Sequence, residues 1–156
     1  MASREGLQFE HPPTSDSAPL VDAVMQLRQA NIPLRAMRDA TRGGLAAALH
    51  EWAEASGTTL SIEELSLPVT PEVRGVCEVL GIDAVHVANE GTMVVAVPPG
   101  VADEAVRVLQ TVDETTRAAR IGKVCPRLLA PVVVRRAIGQ EVPLDEPLGA
   151  PLPRIC

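Results

Sequence analysis

Apolar positions along the chain alternate between helical and strand spacing, and the order of the two predicts the elements. From Leu20 the apolar residues Leu20, Val24 and Leu27 recur on one helical face, and Asp16 or Ser17 offers an N-cap with Pro19 in the first turn. Leu34–Arg38 reads as a short strand. In the stretch Gly44–Ser56 the residues Leu45, Ala48, Leu49, Trp52 and Ala53 follow i, i+3, i+4, i+7, i+8, and Gly57 stands where a left-handed C-terminal residue is wanted. Thr58–Ile62 alternates as a strand. Thr70 then caps a helix that carries Pro71 at its first position and stops at Gly81. Asp83–Ala88 reads as a strand, Asn89-Glu90-Gly91 as a turn, and the β-branched run Thr92–Val97 as a central strand. Ala102–Gln110 is predicted helical, and Ala119–Val124 and Val132–Arg135 as strands. Several strands are joined by short turns. The pattern predicts an α+β fold: a layered, mixed and mostly antiparallel sheet with helices packed on it. No internal repeat or heptad array is present.

Composition narrows this picture. The chain has 156 residues, 46% of them apolar, enough for one domain with a sizeable core. One Phe, one Trp and no Tyr leave that core to Ala, Val and Leu, and leave few rings for stacking nucleic-acid bases. A net charge of −6 argues against nucleic acid or an anionic membrane as partner. No apolar run reaches membrane-spanning length and Met1–Gly6 has no signal-like apolar region, so a cytoplasmic location is expected. The three histidines, His11, His50 and His86, are scattered without metal-ligand spacing and read as structural or solvated; no metal site is expected. Residues 1–16 read as a linker, 17–142 as the folded domain with its core ending near 136–138, and 143–156 as a flexible tail. Four of that tail's fourteen residues are proline, which suits an extended arm and no central strand. At about 3.1 Å per residue such an arm reaches on the order of 40 Å.

Three cysteines without CxxC spacing do not make a disulfide framework. Cys77 shares a helical face with Val73, Val76 and Leu80 and reads as a small core hydrophobe. Cys125 has no evident role, and Cys156, the last residue, is the thiol expected to be exposed. Two polar clusters could carry chemistry. Arg38-Asp39-Ala40-Thr41-Arg42-Gly43-Gly44 lies between a strand and a helix, where backbone N–H groups and Arg42 could cradle a phosphate. Taken alone it also reads as a tight turn with Asp39 or Thr41 as a cap, and it is not a Walker A loop. Ala88-Asn89-Glu90-Gly91 is plain turn chemistry by itself, while a carboxylate there could serve as a general base.

Together these clusters and the ending Pro151-Leu152-Pro153-Arg154-Ile155-Cys156 resemble the HypE family, the carbamoyl dehydratases of nickel–iron hydrogenase maturation. Ser3–Leu7, Ser15–Leu20 and Pro71–Cys77 are similar too, so the resemblance runs over essentially the whole chain. The wider AIR synthetase and selenophosphate synthetase superfamily shares the glycine loop but not the terminal cysteine. The resemblance implies an AIR synthetase C-terminal-like fold. It also implies that an N-terminal domain, absent from this chain, supplies most ATP and Mg2+ contacts and forms a homodimer, so that this chain alone is expected to bind neither. By the same resemblance HypF carbamoylates Cys156, ATP activates the carbamoyl oxygen, Glu90 acts as base, and the cyanide of the resulting thiocyanate passes to iron on a HypC–HypD complex. Asp39, Thr41, Arg42, Gly43 and Gly44 correspond to the phosphate-facing loop. Two rival readings remain beside it: a non-catalytic carrier that presents Cys156 to partners, and a fragment of a related ATP-dependent synthetase.

Overall fold

The computed structural model describes residues 15 and 17–147. Helix α1 (Val21–Gln29) is followed by strand β1 (Ala36–Asp39), helix α2 (Gly44–Ser56), strand β2 (Thr59–Glu63) and helix α3 (Pro71–Leu80). Then come β3 (Met93–Ala96), α4 (Ala102–Leu109), β4 (Gly122–Cys125), β5 (Val132–Arg135) and β6 (Glu141–Pro143). The strands form two sheets, an antiparallel ribbon β1–β3 and a four-stranded sheet in the order β4-β2-β5-β6. Within the larger sheet β2 and β5 run parallel and the other pairs antiparallel, so the α+β, mixed and mostly antiparallel expectation is met.

Each layer has its own apolar packing. Ala46, Leu49 and Ala53 of α2 press on Leu60, Ile62, Val132 and Val134 of the larger sheet, joined by Val85 and Leu144. Leu27 of α1, Ile32 and Ala105 of α4 form a second cluster beneath Met93 and Val95 of the ribbon. Helix α2 carries Gly57 in the left-handed region at its C-terminus (φ 64), as its sequence predicts. The cap of α3 also forms as expected: Thr70 Oγ1 accepts from the Val73 N–H at 3.4 Å, with Pro71 first in the helix.

Four expectations are corrected. Helix α1 starts at Val21 with Leu20 at the N-cap position and no side-chain cap, so Pro19 precedes the helix and does not enter its first turn. Residues 83–88 are not a strand. Asp83 Oδ1 accepts from the Val85 N–H at 3.2 Å and turns Ala84–His86 into a 3-10 turn, a local bond that outcompetes the ladder. The run around β3 is not central, since among the described residues it pairs only with β1. Finally the core does not end near 136–138. After a turn at Gly139 the chain returns as β6, with Val142 opposite Val134, and Leu144 is 5% exposed in the core. Proline is admitted at Pro143 because β6 is an edge strand. Packing therefore extends into the first residues of the segment read as tail.

One ion cluster ties the turns on this side together. Arg136 Nη1 donates to Glu64 Oε1 at 2.9 Å and to Asp83 Oδ2 at 3.2 Å, and the Ala137 N–H donates to Glu64 Oε2 at 2.8 Å. The Ala137 N–H first, and then Arg136, hold the Glu64 carboxyl below its ordinary value of 4.5. A carboxyl with a lowered folded-state pKa takes up protons more readily when unfolded. Its stabilisation is complete above the ordinary value and is lost as the pH falls through the folded one. Urea unfolding across an acid pH series is expected to show this loss in the parent, and Glu64→Gln is expected to flatten it.

Candidate functional site

The two polar clusters lie far apart in sequence, and the ribbon brings them together. β1 and β3 pair in the register Arg38↔Val94 and Asp39↔Met93. The ladder then continues one step past β1: the Ala40 N–H donates to the Thr92 carbonyl at 2.9 Å, and the Asn89 N–H donates to the Ala40 carbonyl at 3.0 Å. The loop that leaves β1 and the turn that leads into β3 therefore share one end of the ribbon. Asn89 Oδ1 accepts from the Gly91 N–H at 3.3 Å, which shapes that turn and leaves Glu90 exposed at its tip.

Within the first loop the residues differ in setting. Arg38 is taken up by an ion pair with Glu51 of α2. Asp39 and Arg42 are exposed, and Arg42 has no ion pair among the described residues. The Thr41 carbonyl accepts from the Gly44 N–H at 2.9 Å. Gly43 and Gly44 have φ of 81° and 63°, in the left-handed region where a side chain is disfavoured. Gly44 is also buried, and a Cβ there would stand 2.6 Å from both the Val85 and Val87 carbonyl oxygens. Its missing side chain is thus required by the 3-10 turn Ala84–His86 packed against it, a role the sequence reading did not foresee.

Gly44→Ala is expected to cost about 2–5 kcal/mol, the sum of a left-handed residue and an overpacked contact. Gly57 is the control: it has nearly the same φ of 64°, yet a Cβ there meets nothing within 4 Å. Gly57→Ala should show only the conformational part, about 1–2 kcal/mol. Urea unfolding of the two variants separates the terms. Equal losses would mean that the contact with residues 85–87 contributes nothing.

The end of the described chain returns to the same loop. Leu144 follows β6, and its N–H donates to the Val132 carbonyl at 3.0 Å. His50 Nε2 lies 3.0 Å from the Leu144 carbonyl oxygen and His86 Nε2 lies 3.1 Å from that of Asp145. Pro147 then reaches the glycine loop, where its Cγ would be 3.5 Å from a Cβ on Gly43. Both histidines are structural, as expected, but their partners are 94 and 59 positions away in sequence, so nothing in their spacing announced the contacts.

The cysteines divide by setting. Cys77 is 6% exposed, and burial pushes its thiol above the ordinary value, so it stays protonated and unreactive near neutral pH. Cys125 is half-buried at the end of β4. Cys156 and His11 lie outside the described residues, as do residues 148–156 of the tail and most of the segment read as a linker. Among the described residues no group of three or more His, Cys, Asp or Glu could hold a metal, and no helix is long and apolar enough to cross a membrane. Asp39, Arg42 and Glu90 of the candidate loops are open to solvent. Cavities of about 330 and 410 Å³ lie elsewhere, one around Cys77 and Arg136 and the other between the ribbon and the larger sheet.

A family model described as AIR synthase related protein, C-terminal domain, matches residues 1–132. Carbamoyl dehydratase HypE of Escherichia coli (strain K12) is 43% identical over 98% of this chain and 45% of its own length. The protein of the same name from Rhodobacter capsulatus is 40% identical over 100% of this chain and 46% of its own. The chain thus spans about half the length of the curated relatives it matches. A crystal structure of E. coli HypE has a TM-score of 0.91 at 43% identity, over 99% of this chain and 47% of that one. A HypE structure in complex with ATP has a TM-score of 0.84 at 34% identity, over 93% and 45% of the two chains. A HypE–HypF complex has a TM-score of 0.86 at 35% identity, over 94% and 47%.

Proposed function

The chain belongs to the AIR synthase related protein family, as a C-terminal domain whose relatives are named carbamoyl dehydratase HypE, and from this premise we propose that it is the thiol-bearing half of such an enzyme in hydrogenase maturation. Cys156 is the carrier. A HypF-type partner places a carbamoyl group on its sulfur, and ATP, held mostly by an N-terminal domain with Mg2+, phosphorylates the carbamoyl oxygen. An amide oxygen is a poor leaving group until it carries phosphate. Loss of that phosphate with the two N–H protons converts the carbamoyl group to a thiocyanate, so ATP leaves as ADP and phosphate, and the cyanide passes to iron on a HypC–HypD complex. Glu90 is the base for the N–H protons. The backbone N–H of Gly43, with Asp39, Thr41 and Arg42, faces the phosphates at the start of α2, and Gly44 shapes the loop by closing its N–H onto the Thr41 carbonyl. The full-length protein works as a homodimer in the cytoplasm.

The observation that carries this reading is the meeting, at one end of the ribbon, of the glycine loop, the Glu90 turn and Pro147, from which the chain leads on to Cys156. The pairing of β1 with β3 sets the first two side by side, and the burial of Leu144 brings the third to them. Incubating the chain with a HypF-type carbamoyltransferase, carbamoyl phosphate and ATP, and reading the intact mass, tests it. One added carbamoyl group located on Cys156 is expected, and no adduct would overturn the reading.

A second reading, a carrier module that performs no ATP chemistry itself, is favoured by the open setting of Asp39, Arg42 and Glu90. Calorimetry on this chain alone tests what both readings share. Weak or absent Mg-ATP binding agrees with an ATP site completed elsewhere, and micromolar affinity would place the whole site here.

A further inference from the structure

The first residues past β6 lose the ladder that satisfied their backbone, since among the described residues the edge strand β6 has no neighbour beyond β5. A buried carbonyl without a partner is costly. At Leu144 and Asp145 the partners are imidazole rings from two different elements, His50 in the middle of α2 and His86 in the 3-10 turn packed on Gly44. A carbonyl oxygen only accepts, so each ring carries a proton on Nε2 and donates it. His50 is 8% exposed and Leu144 is 5% exposed, so the inner bond lies within the core. The His86 bond lies further out and closer to solvent.

We propose that His50 and His86 are positioning residues that clasp the root of the carrier arm and so hold Pro147 beside Gly43 of the glycine loop. The proposal rests on the reading of Cys156 as the carrier thiol. The two bonds act in series along the backbone, first on Leu144 and then on Asp145, and the next fixed point is Pro147 beside Gly43. His86 belongs to the segment whose carbonyls seat against Gly44. The same turn therefore shapes the loop and aims the arm, which couples arm root and loop as one unit.

Tether length and tether placement can be told apart by magnitude. With the root at Pro147, nine residues separate it from the thiol; with every contact past β6 released, the upper limit for His86→Ala, thirteen do. Local concentration falls with roughly the three-halves power of tether length, so lengthening alone dilutes the thiol about 1.7-fold. Release also moves the root by four residues, up to about 14 Å of chain. A loss well beyond twofold therefore reports the lost aim of the arm.

Two measurements test the clasp. The first needs no enzyme. In a Cys125→Ser background, with Cys77 shielded by burial, a fluorophore on Cys156 accepts energy from Trp52, the single tryptophan. His86→Ala is expected to change the transfer and broaden the donor lifetimes, and His86→Gln, whose amide can donate to the same carbonyl, to restore them. His50→Ala is expected to act in the same direction. Should it fail to fold, His86→Ala decides, and an unchanged transfer in His86→Ala overturns the clasp.

The second joins this chain to the N-terminal domain of its E. coli relative and follows a single turnover of preloaded carbamoyl-Cys156. His86→Ala is expected to leave loading by HypF and the unfolding midpoint unchanged, and to slow dehydration about threefold to tenfold, with rescue by His86→Gln. A slowing below twofold, which length alone explains, overturns the positioning role. If transfer changes but the parent chain is never carbamoylated, the functional reading fails and the anchoring of the arm stands.

Discussion

Cys156→Ala is expected to abolish carbamoyl loading, while Cys77→Ala leaves it intact. Loading requires a thiolate that can reach a partner's active site. Cys77 cannot supply one, because it is 6% exposed on the inner face of α3 and burial keeps its thiol protonated. The stability effects run the other way. As a carrier thiol, Cys156 is expected to contribute nothing to the fold, so the unfolding midpoint of Cys156→Ala should match the parent. Cys77→Ala removes a buried sulfur and is expected to cost on the order of 1 kcal/mol. Intact mass after incubation with the carbamoyltransferase gives the first readout and urea unfolding the second. Loading that persists in Cys156→Ala and vanishes in Cys77→Ala would reverse the assignment and remove the main support for the proposed function.

Glu90→Gln is expected to stop the reaction one step later. Glutamine keeps the size of the side chain and its hydrogen-bonding reach, but it does not take up a proton at neutral pH. Glu90 is exposed at the tip of its turn, and no ion pair holds it among the described residues, so the substitution should leave the fold unchanged. In a chain joined to the N-terminal domain of its E. coli relative, carbamoyl-Cys156 should form at the parent rate and then accumulate. Dehydration should fall about 10²–10⁴-fold, the usual contribution of a positioned base. Mass spectrometry distinguishes the species, since the carbamoyl form is heavier than the thiocyanate by one water. Parent-like thiocyanate formation would remove Glu90 from the mechanism and leave the carrier role of Cys156 untouched.

The two predictions draw on different kinds of information. Local pattern alone placed α2 at Gly44–Ser56 and β5 at Val132–Arg135, because helical and strand periodicities depend on neighbours a few residues away. Thr70, Pro71, Gly57 and Gly81 likewise act within one helical turn, so the ends of α2 and α3 were legible. Family membership was legible from short motifs at both ends and in the middle, and comparison over residues 1–132 bears it out. Two of the corrected expectations turn on which strands are neighbours. Residues 83–88 are apolar and β-branched enough for a strand, yet no neighbouring strand is placed to receive them, and the side chain of Asp83 closes a 3-10 turn in its stead. The residues of β6 carry two features that argue against a strand, Pro143 and a short polar lead-in. An edge position next to β5 overrides both.

What the sequence by itself determined is therefore the set of locally coded elements and the family. Tertiary structure alone decided where those pieces meet. Loop 38–44 and turn 88–91 share a ribbon end only because β1 and β3 pair in one register. Gly44 has to be glycine because the Val85 and Val87 carbonyls occupy the place of its side chain. His50 and His86 meet the Leu144 and Asp145 carbonyls because folding closes contacts across 94 and 59 residues. Each is a long-range contact between backbone groups or rings with no spacing of their own, and such contacts leave no periodic trace in a chain read one residue after another.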